Sequence, residues 1–333
     1  MHAHPEHFSK PKSKILALIL IVFSVIIFNF QLPHTTVTQI TNNQQNIQIQ
    51  TDSNQEILID NTDPILEHIQ VGTRIETQDL GDNQFAIADI YRLTGVKIIL
   101  GFFALFCLAV TNLQAIGSLV SIILSILVIF NFTLPLILNG HNPLLICLAS
   151  CVALVPISFY LSHGFNKKAH LSAISSIITL AIAAIFTTIF TKVSVLTGLS
   201  SEEARFLMIG PYANLDFRGI LFGGMMISLI GILDDITITQ TSVVQKLKKT
   251  QKKVFSDAMH VGQDHIASLI NTIFLIYAGA ALPTLLLFAT EPQSIAGLLN
   301  FEPIAEEIVR SIIGSISLIM AVPISTYFAD KNL

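Results

Sequence analysis

Residues 116–138 read IGSLVSIILSILVIFNFTLPLIL, a run without one charged side chain. At the helical rise per residue, a run of this length crosses the roughly 30 Å hydrocarbon core of a bilayer, a length that a buried helix of a water-soluble domain seldom needs. Comparable runs recur near Ile15–Phe30, Val96–Val110, Pro143–Leu161, Leu171–Phe190, Phe217–Leu233, Ile266–Ala289 and Ile304–Phe328. The first two of these, Ile15–Phe30 and Val96–Val110, are short on their most apolar residues and need flanking residues or local thinning of the bilayer to cross. Composition agrees: the chain is 52% hydrophobic and 12% charged, against roughly 25% charged in an ordinary soluble domain. Too few polar residues remain to cover a water-soluble surface, so the expected fold is an α-helical integral membrane protein.

The runs predict about eight transmembrane helices with a small β-rich extracytoplasmic domain between the first and second. The corresponding domains are 1–30, a cytoplasmic tail and first anchor; 31–94, the β-rich domain; and 95–333, a seven-helix bundle containing a cytoplasmic basic segment, 236–263. The first run has the basic flank of a signal peptide but no small-x-small cleavage pattern after it, so it reads as an uncleaved anchor. Lysines assign the orientation. Lys10, Lys12, Lys14, Lys167, Lys168, Lys246, Lys248, Lys249, Lys252, Lys253 and Lys331 fall in alternate connections, and acidic residues such as Asp52, Asp60, Asp63, Glu76, Glu202 and Glu302 fall in the others. Both termini are therefore expected in the cytoplasm.

Between the first two spans, Thr38–Asn46 is too polar for a core and reads as a linker. Period-two alternation follows in Ile47–Ile49, Ile57–Ile59, Val71–Ile75 and Phe85–Ile90, broken by Gly72, Gly81 and Asp82-Asn83, which predicts short strands and turns. Arg92, just before the second span, either reaches lipid headgroups or pairs with an acidic side chain. Cys107, Cys147 and Cys151 all lie inside spans and read as packing residues, not as a disulfide framework or a metal site.

The candidate chemistry lies on the sixth and seventh runs. Gly219, Gly223 and Gly231 share nearly one helix face and predict close helix packing. That helix ends in the stretch Gly231–Gln240, which holds two adjacent carboxylates, Asp234-Asp235, at or just inside the cytoplasmic boundary, where ionisable groups by default mark ion or proton pathways. Beyond a basic connection come Asp264, His265, Asn271 and Thr272. Asp264 and Asn271 are seven residues apart and share a helix face. Asp234, Asp235, Asp264, His265, Asn271 and Thr272 form the expected ion or proton site. The connection around Thr239–Phe255 reads as a basic loop or a helix lying on the inner surface. Ser200, with Glu203 three residues later, predicts a capped short helix.

From Gly231 to Gln240 and from Met259 to Pro283 the text resembles the YibE/F family of bacterial multi-pass membrane proteins. The positions that carry the resemblance are Gly231, Asp235, Met259, Gly262, Asp264, Asn271-Thr272, Tyr277, Gly279 and Leu282-Pro283. Similarity to the family layout extends to the anchor, the β region and the Tyr91-Arg92 pair. Asp234, Ala258 and Gln263 depart from the pattern, which has an apolar residue, a glycine and commonly a basic residue there. The resemblance implies a bacterial plasma-membrane protein with a transport-related role.

The sequence contains no zinc-protease, serine-hydrolase or phosphate-loop motif. The expected function is a non-enzymatic transporter or permease component, proton- or cation-coupled through its inner carboxylates, with no cofactor. A membrane assembly or sensing protein, whose outer domain binds a partner, is the alternative. A third reading gives Asp234-Asp235 a Mg²⁺ ion for lipid or diphosphate chemistry. The expected partners are the lipid bilayer and a second copy or another membrane protein, with no nucleic acid.

Overall fold

The computed structural model describes residues 32–42, 46–60, 63–81, 84–111, 113–250, 254–290 and 294–333. The first expected span, 15–30, lies outside them. Two compact units divide the chain between Ile116 and Gly117.

The first unit holds a five-stranded antiparallel sheet of order β3-β2-β1-β4-β5, from β1 (Thr35–Asn42), β2 (Asn46–Thr51), β3 (Glu56–Asp60), β4 (Arg74–Gly81) and β5 (Gln84–Ile90). Much of the stretch expected to be a linker is therefore the central strand. Its threonines suit a pleated surface, and burying Thr35 and Val37 on one face is enough to seat it. Val37, Ile49, Ile57, Ile59, Ile69 and Ile75 form the core. Arg92 takes the second of its two expected roles, 2.6 Å from Asp89. The same unit contains α1 (Leu93–Thr111).

Asp52, in the turn between β2 and β3, accepts a hydrogen bond from the Thr35 hydroxyl and one of 2.9 Å from the Thr36 amide. These bonds favour the carboxylate and hold its pKa below the ordinary 3.8. A carboxyl depressed in this way contributes its full stabilisation above the ordinary value and loses it as pH falls through the folded one. Acid titration of the full chain, followed by amide exchange in β1, should show the strand loosening below about pH 4. Asp52→Asn keeps an acceptor but cannot titrate, so its acid limb should be flatter; identical curves would remove Asp52 as the cause.

The second unit, which α2 (Leu113–Val128) enters at Gly117, is helical: α3 (Leu134–Leu138), α4 (Pro143–His163), α5 (Lys167–Val193), α6 (Glu202–Ile209), α7 (Phe217–Leu247), α8 (Phe255–Ala280), α9 (Leu282–Ala289), α10 (Ile295–Asn300) and α11 (Glu302–Asn332) follow. A π turn over Ile129–Thr133 joins α2 to α3 just before Pro135, which has no amide to continue the ladder. Among the described residues, six helices are long and apolar enough to cross a membrane. The expected span 266–289 is instead a broken pair, α8 and α9, bent by 65°. Pro283 at the start of α9 accounts for the break, since its ring would clash with the carbonyl four residues back.

Helices α5, α7 and α11 pack on one another, α4 lies on α7 and α5, and α8 lies chiefly on α11. Apolar contact provides the bulk of this core, from Phe159, Met225, Met226, Leu233, Ile313 and Leu318 among others. Hydroxyls then fix the register. Ser172 donates to Thr241 at 2.9 Å, and Ser176 and Thr237 lie 3.0 Å apart. The fully buried Gln240 donates from its amide nitrogen to the Ala258 carbonyl and the Thr326 hydroxyl, both at 2.8 Å, which ties α7, α8 and α11 together. In an apolar surround such bonds have no water to replace them.

Helix α7 does not stop within Gly231–Gln240. It continues to Leu247, in place of the basic loop or surface helix expected over 239–255. No glycine or proline follows Gly231 in this stretch, and the contacts of Thr237, Gln240 and Thr241 hold the extension against α5, α8 and α11.

Candidate functional site

Successive residues on a helix diverge by about 100°, and the two carboxylates of α7 do so. Asp234 turns to α4, where the Ser158 hydroxyl donates to its Oδ2 at 2.6 Å. The His163 ring lies 3.4 Å from Oδ1. That oxygen is buried and has no hydrogen-bond donor in alignment among the described residues. Asp235 turns the other way, into a cavity of about 320 Å³ between α7 and α8. Ser228, Gly231, Thr272 and Tyr277 share the cavity wall.

Of the six residues expected to form one site, the structure brings only Asp235 and Thr272 to a common cavity. Asp234 departs because of the turn between neighbours. Asp264 and Asn271 lie on the exposed flank of α8, and His265 is only partly buried. The helix phase explains this. Gly262 and Ile273 are the buried face of α8, so Asp264 and Asn271, each two residues away, stand about 200° around the helix from it. Asp234 and Asp235 likewise present no joint face on which two carboxylates could clamp a magnesium ion.

The glycines divide in the same manner. A Cβ on Gly219 would first meet the Asp216 carboxylate of its own helix cap at 2.6 Å, with Pro143 of α4 at an ordinary 3.4 Å, whereas one on Gly223 would stand 2.2 Å from the Cys147 sulfur, so the close approach of α4 to α7 lies at Gly223. Gly231 is different. A Cβ there meets nothing within 4 Å, and the residue borders the Asp235 cavity instead of a helix contact.

A second cavity, of about 460 Å³, lies at the opposite end of the same pair of helices. The sequence reading did not mark it. Ile220 and Gly224 of α7 and Ala280 of α8 line one side; Glu306, Glu307 and Arg310 of α11 line the other. Arg310 reaches Glu306 at 2.8 Å and Glu307 at 3.1 Å. The Glu306 side chain is only 10% exposed and that of Arg310 25%. Ser200 donates its hydroxyl to Glu306. Ser200 is free to do so because α6 is capped one residue later than expected, by Ser201, whose Oγ accepts from the Ala204 amide at 3.2 Å. The sequence signal for this cluster was available: Glu306 and Glu307 stand four and three residues before Arg310, the spacing of helical ion pairs.

Arg310 also connects the two ends. Its guanidinium sits 5.7 Å from the centre of the Tyr277 ring, which lines the Asp235 cavity. Behind the groove, a Cβ on Gly314 of α11 would lie 3.4 Å from Ile273 and 3.9 Å from Ile232. One groove thus runs along α7 and α8 with α11 at its back, interrupted where Arg310 lies over Tyr277.

The sequence model of the YibE/F-like protein family matches residues 99–333. That range includes every helix that borders the groove and leaves the β-sheet and Tyr91-Arg92 outside, so it is narrower than the whole-chain likeness expected from the sequence. No curated protein and no solved structure matches the chain. With most of its length covered by that match, groove included, the chain belongs to the YibE/F-like family.

Proposed function

We propose that this chain is a multi-pass protein of the bacterial plasma membrane, and that it works as a transporter or permease component for a cation- or proton-coupled solute. One observation supports the reading above the others: two cavities lie end to end between α7 and α8, each holding ionisable groups, on either side of the Arg310–Tyr277 contact. A closed assembly or sensing bundle has no use for carboxylates lining such a groove, because ionisable groups at membrane depth are costly. Lys167, Lys168, Lys246, Lys248, Lys249 and Lys331 gather at the end nearer Asp235, which by the distribution of basic residues faces the cytoplasm. Asp235 is then the inner coupling carboxylate, and Arg310 over Tyr277 divides the inner cavity from the outer one.

Uptake and efflux by the purified chain in sealed vesicles, across a broad solute panel with and without a proton gradient, tests this. Flux that depends on the gradient is expected, with Asp235→Asn reducing it by about a hundredfold or more, the order lost with one proton-transfer group. Absence of flux across the panel would overturn the transport reading. Undiminished flux in Asp235→Asn would remove that residue from it.

A further inference from the structure

We propose that the cavity bordered by Glu306, Glu307 and Arg310 is a binding site for a small organic monocation of the ammonium type, held by Glu307. The proposal rests on the transport reading only in taking this cavity as outward-facing; binding itself is independent of flux.

Charge sets the sign of the ligand. Two carboxylates face one guanidinium, leaving one negative charge in excess. Glu306 is occupied, with Arg310 on one oxygen and the Ser200 hydroxyl on the other. Among the described residues Glu307 has only Arg310, through Nη1 at 3.1 Å to one oxygen and 3.5 Å to the other. A carboxylate offers about four lone-pair positions, so the unspent acceptor capacity and the excess charge coincide at Glu307. An anion would meet that excess charge. A divalent metal would meet the Arg310 guanidinium, and would ask for six or more oxygen ligands where the wall offers few.

Size and wall chemistry set the class. The volume of about 460 Å³ falls in the range of roughly 300–1,000 Å³ typical of small-molecule sites. Apart from the charged trio and the hydroxyls of Ser200, Ser201 and Thr284, the wall is small and apolar, with Gly224, Ala280, Ala281 and Pro303. Such a wall suits alkyl groups around a cationic nitrogen better than a hydrated inorganic ion.

The full chain in lipid nanodiscs, titrated with tetramethylammonium, sodium and inorganic phosphate and read by calorimetry and thermal shift, tests the site. Tetramethylammonium should bind and raise the melting temperature, and sodium and phosphate should not. Glu307→Gln should weaken binding about tenfold or more, as the loss of a charge-assisted contact does. Glu307→Asp, which keeps the charge, should retain most of the binding, and Glu202→Gln, an exposed carboxylate outside the cavity, should match the parent. No binding of tetramethylammonium by a folded chain would overturn the proposal; so would preference for sodium or phosphate, or a response to pH alone. Binding without flux would leave this site standing and sink the transport reading, and flux without binding would do the reverse.

Discussion

Arg310→Met should lower the stability of the helical unit by about 3 kcal/mol, the low end of the range for stripping one partner from a buried ion pair. The low end applies because the Arg310 side chain is a quarter exposed while that of Glu306 is nine-tenths buried. Removing the guanidinium leaves Glu306 with only the Ser200 hydroxyl and sets it beside Glu307 with no cation between them. Like charges on adjacent residues, poorly hydrated, then oppose folding. Glu306→Gln alone should cost less, because Arg310 keeps Glu307 and the glutamine oxygen still accepts from Ser200. The double variant Glu306→Gln, Arg310→Met should be more stable than Arg310→Met, since the uncompensated charge has gone. Thermal unfolding of the three variants in one detergent decides the matter. Equal stability of parent and Arg310→Met would mean that the pair is solvated and that the groove is wet at its middle.

The apolar spans were legible because bilayer thickness imposes a length that soluble cores do not, and a run such as 171–190 has no other use for so many uncharged residues. What the pattern could not give was where helices stop. An end for α7 within Gly231–Gln240 takes a change of solvent for a change of structure, yet polar residues continue a helix when the backbone has no breaker and neighbours hold it. In the sheet the error ran the other way. The text Thr35–Asn42 looks unstructured by polarity, but a strand needs only one face buried, and Thr35 and Val37 supply it.

The site was half legible for a related reason. Charges within an apolar run stand out, so Asp234, Asp235 and Asp264 were easily found. Their grouping depends on rotational phase, which is set by tertiary contacts such as Gly262 against Gln240 and Val322, and spacing along one helix does not disclose it. Glu306, Glu307 and Arg310 were passed over because charges near the start of a span resemble an ordinary boundary. Only the fold reveals that α6, α7 and α8 enclose them.

Gly223→Ala and Gly224→Ala, neighbours on α7, should move stability in opposite directions. A Cβ on Gly223 would stand 2.2 Å from the Cys147 sulfur and 2.9 Å from its Cβ, so α4 must shift away from α7 to admit it. Overpacking of this kind typically costs about 1–3 kcal/mol, and α4 has little freedom to yield. Its first turn touches the Gly219 position through Pro143, and Leu154 and Phe159 hold it in the core. On Gly224 a Cβ would meet nothing within 4 Å. There the substitution only removes glycine's excess freedom in the unfolded chain and should stabilise by about 0.5–1 kcal/mol. Adding Cys147→Ala to Gly223→Ala takes away the sulfur but not the Cβ, so part of the loss should return. Melting temperatures of the four chains in the same lipid check the ranking. Should Gly223→Ala melt with Gly224→Ala, α4 and α7 stand farther apart than the contact of Gly223 with Cys147 requires, and the two cavities would lose the fixed wall that α7 gives them.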